Sequence, residues 1–398
     1  MDKMDNNFKG ENLKTARLFR GWTLTELGKK TGISKQSISL YENNINKPEF
    51  EKLMLLAKTL GFPRQFFFAD DILKTKTDVT YFRSLASSTK MSRTSQSIKL
   101  EYVAKIYEIL EEYIDFPKLN IPSIFFNGND DIFNVDKEKE MENQIEKIAN
   151  DIRESWEIGD EPINDLQYIL EKNGIIVTGF DTEDLKIDAF SQRTIIDSNE
   201  VFFIALSQGH FPECRINFDM AHELGHIVLH PWSENLELIS KEEFKLRERQ
   251  ANMFASSFLM PKKSFSKDVI LYPTDLQYYQ ILKKKWNCSI QSMVYRSHSI
   301  GIISDNQYQY MMRQISKKGW RQKEPYDVPY SIKQTIFQEA IDLLIYDSKI
   351  INAKTLLSLF SKYGVVLNAK DIEKILHLRE GTLNIEENED KVISLKLK

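Results

Sequence analysis

The sequence predicts an α+β protein that is mainly α with a small β-sheet. Three observations lead there. Apolar residues recur at helical spacing through most of the chain, beginning with Leu13 and Ala16. Runs rich in β-formers are few and short, at 175–178 and 201–206. Turn residues such as Gly21, Gly32, Asn43, Asn44 and Pro48 cut the first 67 residues into lengths that suit a bundle of short helices.

The elements follow in order. Leu13, Ala16, Arg17 and Arg20 share a helical face, and Gly21 ends that segment. Thr23 or Thr25 can cap a second helix over 24–31, closed by Gly32, and Ser34 can cap a third over 35–43. A fourth helix over 50–60 has Leu53, Leu56, Ala57 and Leu60 on its apolar face. Residues 69–97 read as a connector ending in SLASSTKMSRTSQS. A helix over 98–115 carries Leu100, Val103, Ile106 and Leu110 on one stripe. The stretch 116–140 reads as irregular, with Pro117, Pro122 and a polar turn, and helices resume over 141–156 and 163–173. After the two β runs, helices dominate from Cys214 to about Ser316. Gly319-Trp320 and Glu324-Pro325 mark a boundary, and three more helices over 330–380 precede a charged tail. The expected domains are therefore 8–68, a connector 69–140 with its helix, 141–325, and a C-terminal helical region 326–398.

Composition excludes several classes. With 398 residues the chain exceeds one ordinary core. Hydrophobic residues at 41% and charged residues at 28% fit a soluble globular protein. No apolar run reaches the roughly 18 to 20 residues that a membrane helix needs, and the N-terminus has no signal-like apolar core. Cys214 and Cys288 are not spaced as a metal knuckle or redox pair, so a reducing, cytoplasmic setting is expected. The net charge of −4 hides a polarity: residues 1–68 hold 12 Lys+Arg against 7 Asp+Glu, and the rest is acidic. Any nucleic-acid contact is expected at the basic N-terminus.

The most specific motif is His222-Glu223-Leu224-Gly225-His226, an HExxH inside a helical pattern. Histidines four apart lie on one helix face and can reach one metal, and the intervening glutamate is placed to deprotonate a metal-activated water. A catalytic zinc takes three protein ligands. His230 continues the spacing, but eight residues at about 1.5 Å rise put it about 12 Å along the axis from His222, too far to share a zinc. The following helix offers Glu248 as a carboxylate ligand. Asn252, one turn on, can orient a zinc histidine. His298 and His377 read as ordinary residues. His210 lies in a loop near the site without an assigned role.

These residues carry a resemblance. HELGHIVLH followed by ERQANMFASSFLMP is similar to the ImmA/IrrE family of metallopeptidases. The similarity extends upstream through 187–191 and downstream through WNCSIQSMVYRSHSIGIIS and GWRQKEP, covering about 140–325. It implies a zincin-like domain with Zn2+ held by His222, His226 and Glu248 and Glu223 as the base. The family often has a second acidic residue where Gln250 stands, and its absence here favours Glu248 as the ligand. TLTELGKKTGISKQSISLYENNINKP resembles the XRE helix-turn-helix family, whose third helix enters the major groove of double-stranded DNA. The implied DNA-contacting positions are Ser34, Lys35, Gln36, Ser37 and Ser39. Gln36 can pair with adenine, and Lys35 can reach guanine or phosphate. Ile33, Ile38 and Leu27 read as core. Leu40 and an acidic Glu42 beside the groove-facing side depart from the pattern. The segment 81–84, which also recurs in proteins of this two-part arrangement, suggests no mechanism.

The expected function is a DNA-binding transcriptional regulator carrying a zinc-dependent endopeptidase that cleaves a repressor-type partner. The alternatives are a non-catalytic zinc-containing transcription factor, or an antitoxin or defence component whose peptidase-like domain senses a signal or binds a partner. Palindromic operators favour a homodimer, formed through the 98–115 helix or the C-terminal helices.

Overall fold

The computed structural model describes residues 8–73, 76–82, 89–122, 138–180, 189–196, 198–207, 211–232, 239–330 and 333–384. Ile187, Asp188, Arg83, Ser84, His210 and the charged tail from 385 lie outside them. The fold is mainly α with a small sheet. The chain forms two compact units, one of 1–74, 105–113 and 337–398, the other of 75–104 and 114–336. Among the described residues, no helix is long and apolar enough to cross a membrane.

The first unit opens with four helices: α1 (Gly10–Phe19), α2 (Leu24–Thr31), α3 (Lys35–Glu42) and α4 (Phe50–Leu60). Of the two threonines considered as caps, Thr23 does the work. Its side chain accepts from the Glu26 backbone N–H, and Glu26 accepts in return from the Thr23 N–H. Gly32 ends α2 at φ +70°, which reverses the chain into α3. Ser34 caps α3 by accepting from the Ser37 N–H. Leu13, Leu27, Ile38 and Leu56 are fully buried. Glu42 corrects the sequence reading: it points inward, not to the groove side. Arg17 Nε and Nη2 each donate to its carboxylate at 2.7 Å, and both side chains are buried. The helices of the C-terminal part belong to this same unit. Asp371 accepts from Arg20 Nη1 and Nη2 at 2.7 and 2.6 Å, and Asn368 Nδ2 donates to the Gly61 carbonyl.

The second unit holds a four-stranded sheet of β1 (Lys76–Phe82), β2 (Ile175–Phe180), β3 (Ala189–Ile196) and β4 (Asn199–Ser207), in the order β1-β3-β4-β2. β3 is antiparallel to both β1 and β4, while β2 and β4 are parallel. Central β4 is buried from Val201 to Ser207, so it reads as an unbroken apolar run rather than an alternation. Two strands depart from the sequence reading. β1 falls inside the expected connector. β3 was hidden because it buries Ser191, Gln192 and Thr194, polar residues that do not mark a core strand. The connector also yields α5 (Lys90–Glu111), which starts well before position 98. Serines and threonines weaken its propensity there, and the buried stripe Leu100, Val103, Ile106 and Leu110 sustains it.

The same unit also holds α6 (Glu138–Ser155), α7 (Leu166–Lys172), α8 (Glu213–Leu229), α9 (Lys241–Leu259), α10 (Lys262–Val269), α11 (Leu276–Trp286), α12 (Ile290–Ser299) and α13 (Asp305–Lys317). α8 packs against β3, β4, α7 and α9, while α9 packs also against α6 and α12. Polar hubs fix these helices. Glu146 of α6 accepts two hydrogen bonds from Arg296 of α12, one from Ser257 of α9 and one from the Lys262 N–H of α10. Arg153 of α6 donates to the carbonyls of Gly159, Glu161 and Phe258. The 319–327 stretch, read from sequence as a boundary, is anchored: Glu324 accepts from Lys283 Nζ and from the Ile290 and Gln291 N–H groups that open α12.

Candidate metal centre

α8 is buried along nearly its whole length, from Cys214 to Leu229. That burial explains its continuous apolar flanks. Its histidines and Glu223 must therefore find partners inside the protein, and they do. His222 and His226 stand one turn apart with their Nε2 atoms 3.0 Å from one another. Glu248, on α9, brings Oε2 to 3.6 Å from His222 Nε2 and Oε1 to 3.2 Å from His226 Nε2. One donor atom from each of the three residues lies within 4.8 Å of the others. Donors held tetrahedrally at about 2.0–2.1 Å from a zinc ion stand roughly 3.3 Å apart. The observed separations bracket that value, and two imidazoles with a carboxylate are a borderline-soft donor set that suits zinc.

The approach of the two helices depends on Gly225, which sits between the histidines. A Cβ there would lie 3.1 Å from Ala251 Cα and 3.2 Å from the Ala251 carbonyl oxygen on α9.

A ring of positioning contacts surrounds the donors. Asn252 Oδ1 lies 3.1 Å from His222 Nδ1 and can accept only if that nitrogen carries the proton, which leaves Nε2 as the lone pair. His230 is the residue that follows α8 and caps it, with φ −114° and ψ 146°. Its Nδ1 is 2.8 Å from His226 Nδ1, and its Nε2 is 3.1 Å from Gln250 Oε1. Burial holds His230 well below the usual imidazole pKa, with the neighbouring His226 acting in the same direction. Glu223 is fully buried, and its Oε2 accepts from Ser191 Oγ of β3 at 2.5 Å.

His222, Glu223, His226, Glu248 and Asn252 thus come together at one place. Sequence reasoning missed Ser191, Gly225 and Gln250 as parts of it. Ser191 carried a faint signal, since it lies within the stretch that resembles the family. His230, which helix rise excludes as a ligand, instead contacts His226 and Gln250. His298 is an ordinary surface residue, bonded to Asp305 and stacked on Tyr308. Glu248 and Asn252 also line a cleft of about 720 Å³ whose wall includes Phe218, Tyr295 and Trp320.

The DNA-contacting candidates occupy the start of α3 in the other unit. Ser34, Lys35 and Gln36 are exposed, while Ser37 and Ser39 are half-buried. Ser34 and Ser37 also share a side-chain hydrogen bond of 2.9 Å, so part of their capacity serves the helix cap. Tyr41, further along α3, is buried.

Two family models match the chain. Residues 13–67 match the helix-turn-helix family, and residues 171–298 match the IrrE N-terminal-like domain of the M78 peptidases. No curated protein matches it. The chain therefore joins an XRE-type helix-turn-helix, the module of DNA-binding regulators, to an IrrE/ImmA-like peptidase domain.

Proposed function

We propose that this chain is a transcriptional regulator that binds operator DNA through α3 and carries a zinc-dependent endopeptidase acting on a repressor-type protein. The observation that carries the reading is the convergence of two imidazole nitrogens and one carboxylate beside a second, buried carboxylate. His222, His226 and Glu248 would hold the ion. Zinc bound there would supply Lewis acidity, lowering the pKa of water and polarising a peptide carbonyl. Glu223 is the general base: its carboxylate takes the proton from the attacking water and returns it to the leaving amine. Ser191 holds Glu223 Oε2 and so fixes the carboxylate plane. Asn252 keeps His222 in the tautomer whose Nε2 lone pair faces the cluster. The cleft beside Glu248 and Asn252 is the proposed seat of an extended peptide, with Phe218, Tyr295 and Trp320 offering apolar contact.

On the DNA side, Lys35 and Gln36 are the proposed readers, with Ser34, Ser37 and Ser39 contacting the backbone or base edges. A homodimer would match a palindromic operator. A gel-filtration mass equal to one chain would count against it.

The test of the peptidase is Glu223→Gln. The variant should keep zinc at one ion per chain and lose cleavage. Used as a trap in the native host, it should retain a repressor-like protein that the wild type releases in pieces. If regulation in cells is unchanged by the substitution, the helix-turn-helix works without catalysis and the non-enzymatic alternative is correct.

A further inference from the structure

Resting on the zinc reading above, we infer that Gln250, oriented by Met141, acts through His230 to fix the proton of His226. His230 and Gln250 are thereby positioning residues for the metal centre. Three contacts carry this. His226 Nδ1 lies 2.8 Å from His230 Nδ1, His230 Nε2 lies 3.1 Å from Gln250 Oε1, and Gln250 Nε2 lies 3.6 Å from Met141 Sδ. All four side chains are buried, at 1%, 4%, 1% and 5% exposure for His226, His230, Gln250 and Met141.

The direction of the chain follows from donor chemistry. His226 can offer Nε2 to a metal only if its proton sits on Nδ1. That proton must then be donated to His230 Nδ1. His230 therefore carries its own proton on Nε2, and Gln250 must receive it through the amide oxygen. An amide has two ends, so a flipped Gln250 would donate to His230 Nε2 instead. His230 would then donate from Nδ1, and His226 would turn an N–H toward His222 Nε2 and Glu248. A thioether has no proton to give and is a weak acceptor. Met141 can therefore pair only with the amide NH2 group, which fixes the oxygen toward His230. The orientation of one methionine–glutamine contact is thus transmitted across two imidazoles to the ligand atom.

The wild-type chain, labelled with 15N at its six histidines, provides the first test. In the zinc-loaded protein, long-range 15N–1H spectra should show His226 protonated at Nδ1 and His230 protonated at Nε2. A proton on His230 Nδ1 would overturn the inference whatever the variants do. The second test is zinc affinity by competition with a chromophoric chelator on the full chain. Gln250→Leu should bind zinc about 10 to 100 times more weakly, the usual loss when a group behind a ligating histidine is removed. Gln250→Glu, which can only accept, should rescue binding to within about threefold of wild type. If Gln250→Leu does not fold, the wild-type spectrum decides alone. Wild type that binds no zinc would defeat the metal reading. Wild type that binds zinc no more tightly than Gln250→Leu would defeat the relay alone.

Discussion

Replacing Gly225 by alanine separates two opposing effects whose sizes can be compared. In an open helix interior, Gly→Ala stabilises by up to about 1 kcal/mol, because alanine loses less backbone entropy on folding. Here the added Cβ would meet Ala251 Cα at 3.1 Å, Ala251 O at 3.2 Å and Phe254 Cδ1 at 3.2 Å. Carbon atoms in comfortable contact are about 3.5–4.0 Å apart, so α9 must retreat by roughly half an ångström. Two of the three atoms are backbone, and both Ala251 and Phe254 are fully buried, so no rotamer change relieves the clash. Overpacking of this kind costs about 1–3 kcal/mol. The net expectation is a destabilisation of about 0–2 kcal/mol, with the sign opposite to the propensity effect. Glu248 stands one turn before Ala251 on the moving helix, with its Oε1 only 3.2 Å from His226 Nε2. Zinc affinity should therefore fall about tenfold, the low end of what disturbing a metal site costs. Calorimetry with and without zinc, together with a chelator competition, measures both quantities. A midpoint raised by about 2–4 °C, the mark of roughly 1 kcal/mol in a domain of this size, with unchanged zinc affinity would refute the reasoning.

Removing the Glu42 carboxylate by Glu42→Ala leaves the buried Arg17 guanidinium without its bidentate acceptor. It should destabilise the helix-turn-helix by about 3–5 kcal/mol in urea unfolding while zinc binding is retained. Lys35→Ala should weaken DNA binding on all sequences and lower the salt slope by about one, whereas Gln36→Ala should cost about 1–3 kcal/mol and relax preference at one base position, both read from titrations over a salt series. Burial raises the Cys214 thiol to about 11 and pushes that of Cys288 up as well. Above about pH 9 the unfolded chain therefore loses thiol protons that the folded chain keeps. Stability should fall from pH 9 towards 11, by on the order of 2 kcal/mol for Cys214, and Cys214→Ala should flatten the urea-denaturation profile across that window.

The sequence made the candidate metal ligands readable because they obey a local rule. His222 and His226 follow from helix periodicity, and Glu248 from a second helix close behind in the chain. The helix-turn-helix was readable for a similar reason, since its caps and glycine stop are local signals. What stayed hidden depends on contacts between distant segments. β3 could not be recognised because its buried positions include Ser191, Gln192 and Thr194, and Ser191 meets Glu223, 32 residues away. Glu42 read as a groove-side charge because its neutralising partner, Arg17, lies 25 residues earlier. The early start of α5 ran against its own serine and threonine propensity, and the buried stripe that supports the helix lies further along it, from Leu100 to Leu110.

The same contrast bears on how an HExxH segment becomes a site. Between positions 222 and 230, each polar or small residue answers to a different neighbour: His222 to Asn252, Glu223 to Ser191, Gly225 to Ala251, and His226 to His230 and through it to Gln250. The HExxH spacing itself supplies only two imidazoles on one helix face and a carboxylate. A larger residue at 225 would hold α9, and with it Glu248, away from both histidines. Without an acceptor behind Nδ1, each imidazole could present either tautomer, and only one of the two has a lone pair for a metal. A chance match to the motif in a buried helix would lack these partners, and its histidines would be expensive unsatisfied groups. Their joint presence on β3, α8 and α9 is therefore a stronger reason than the motif alone to read this helix as built for a metal.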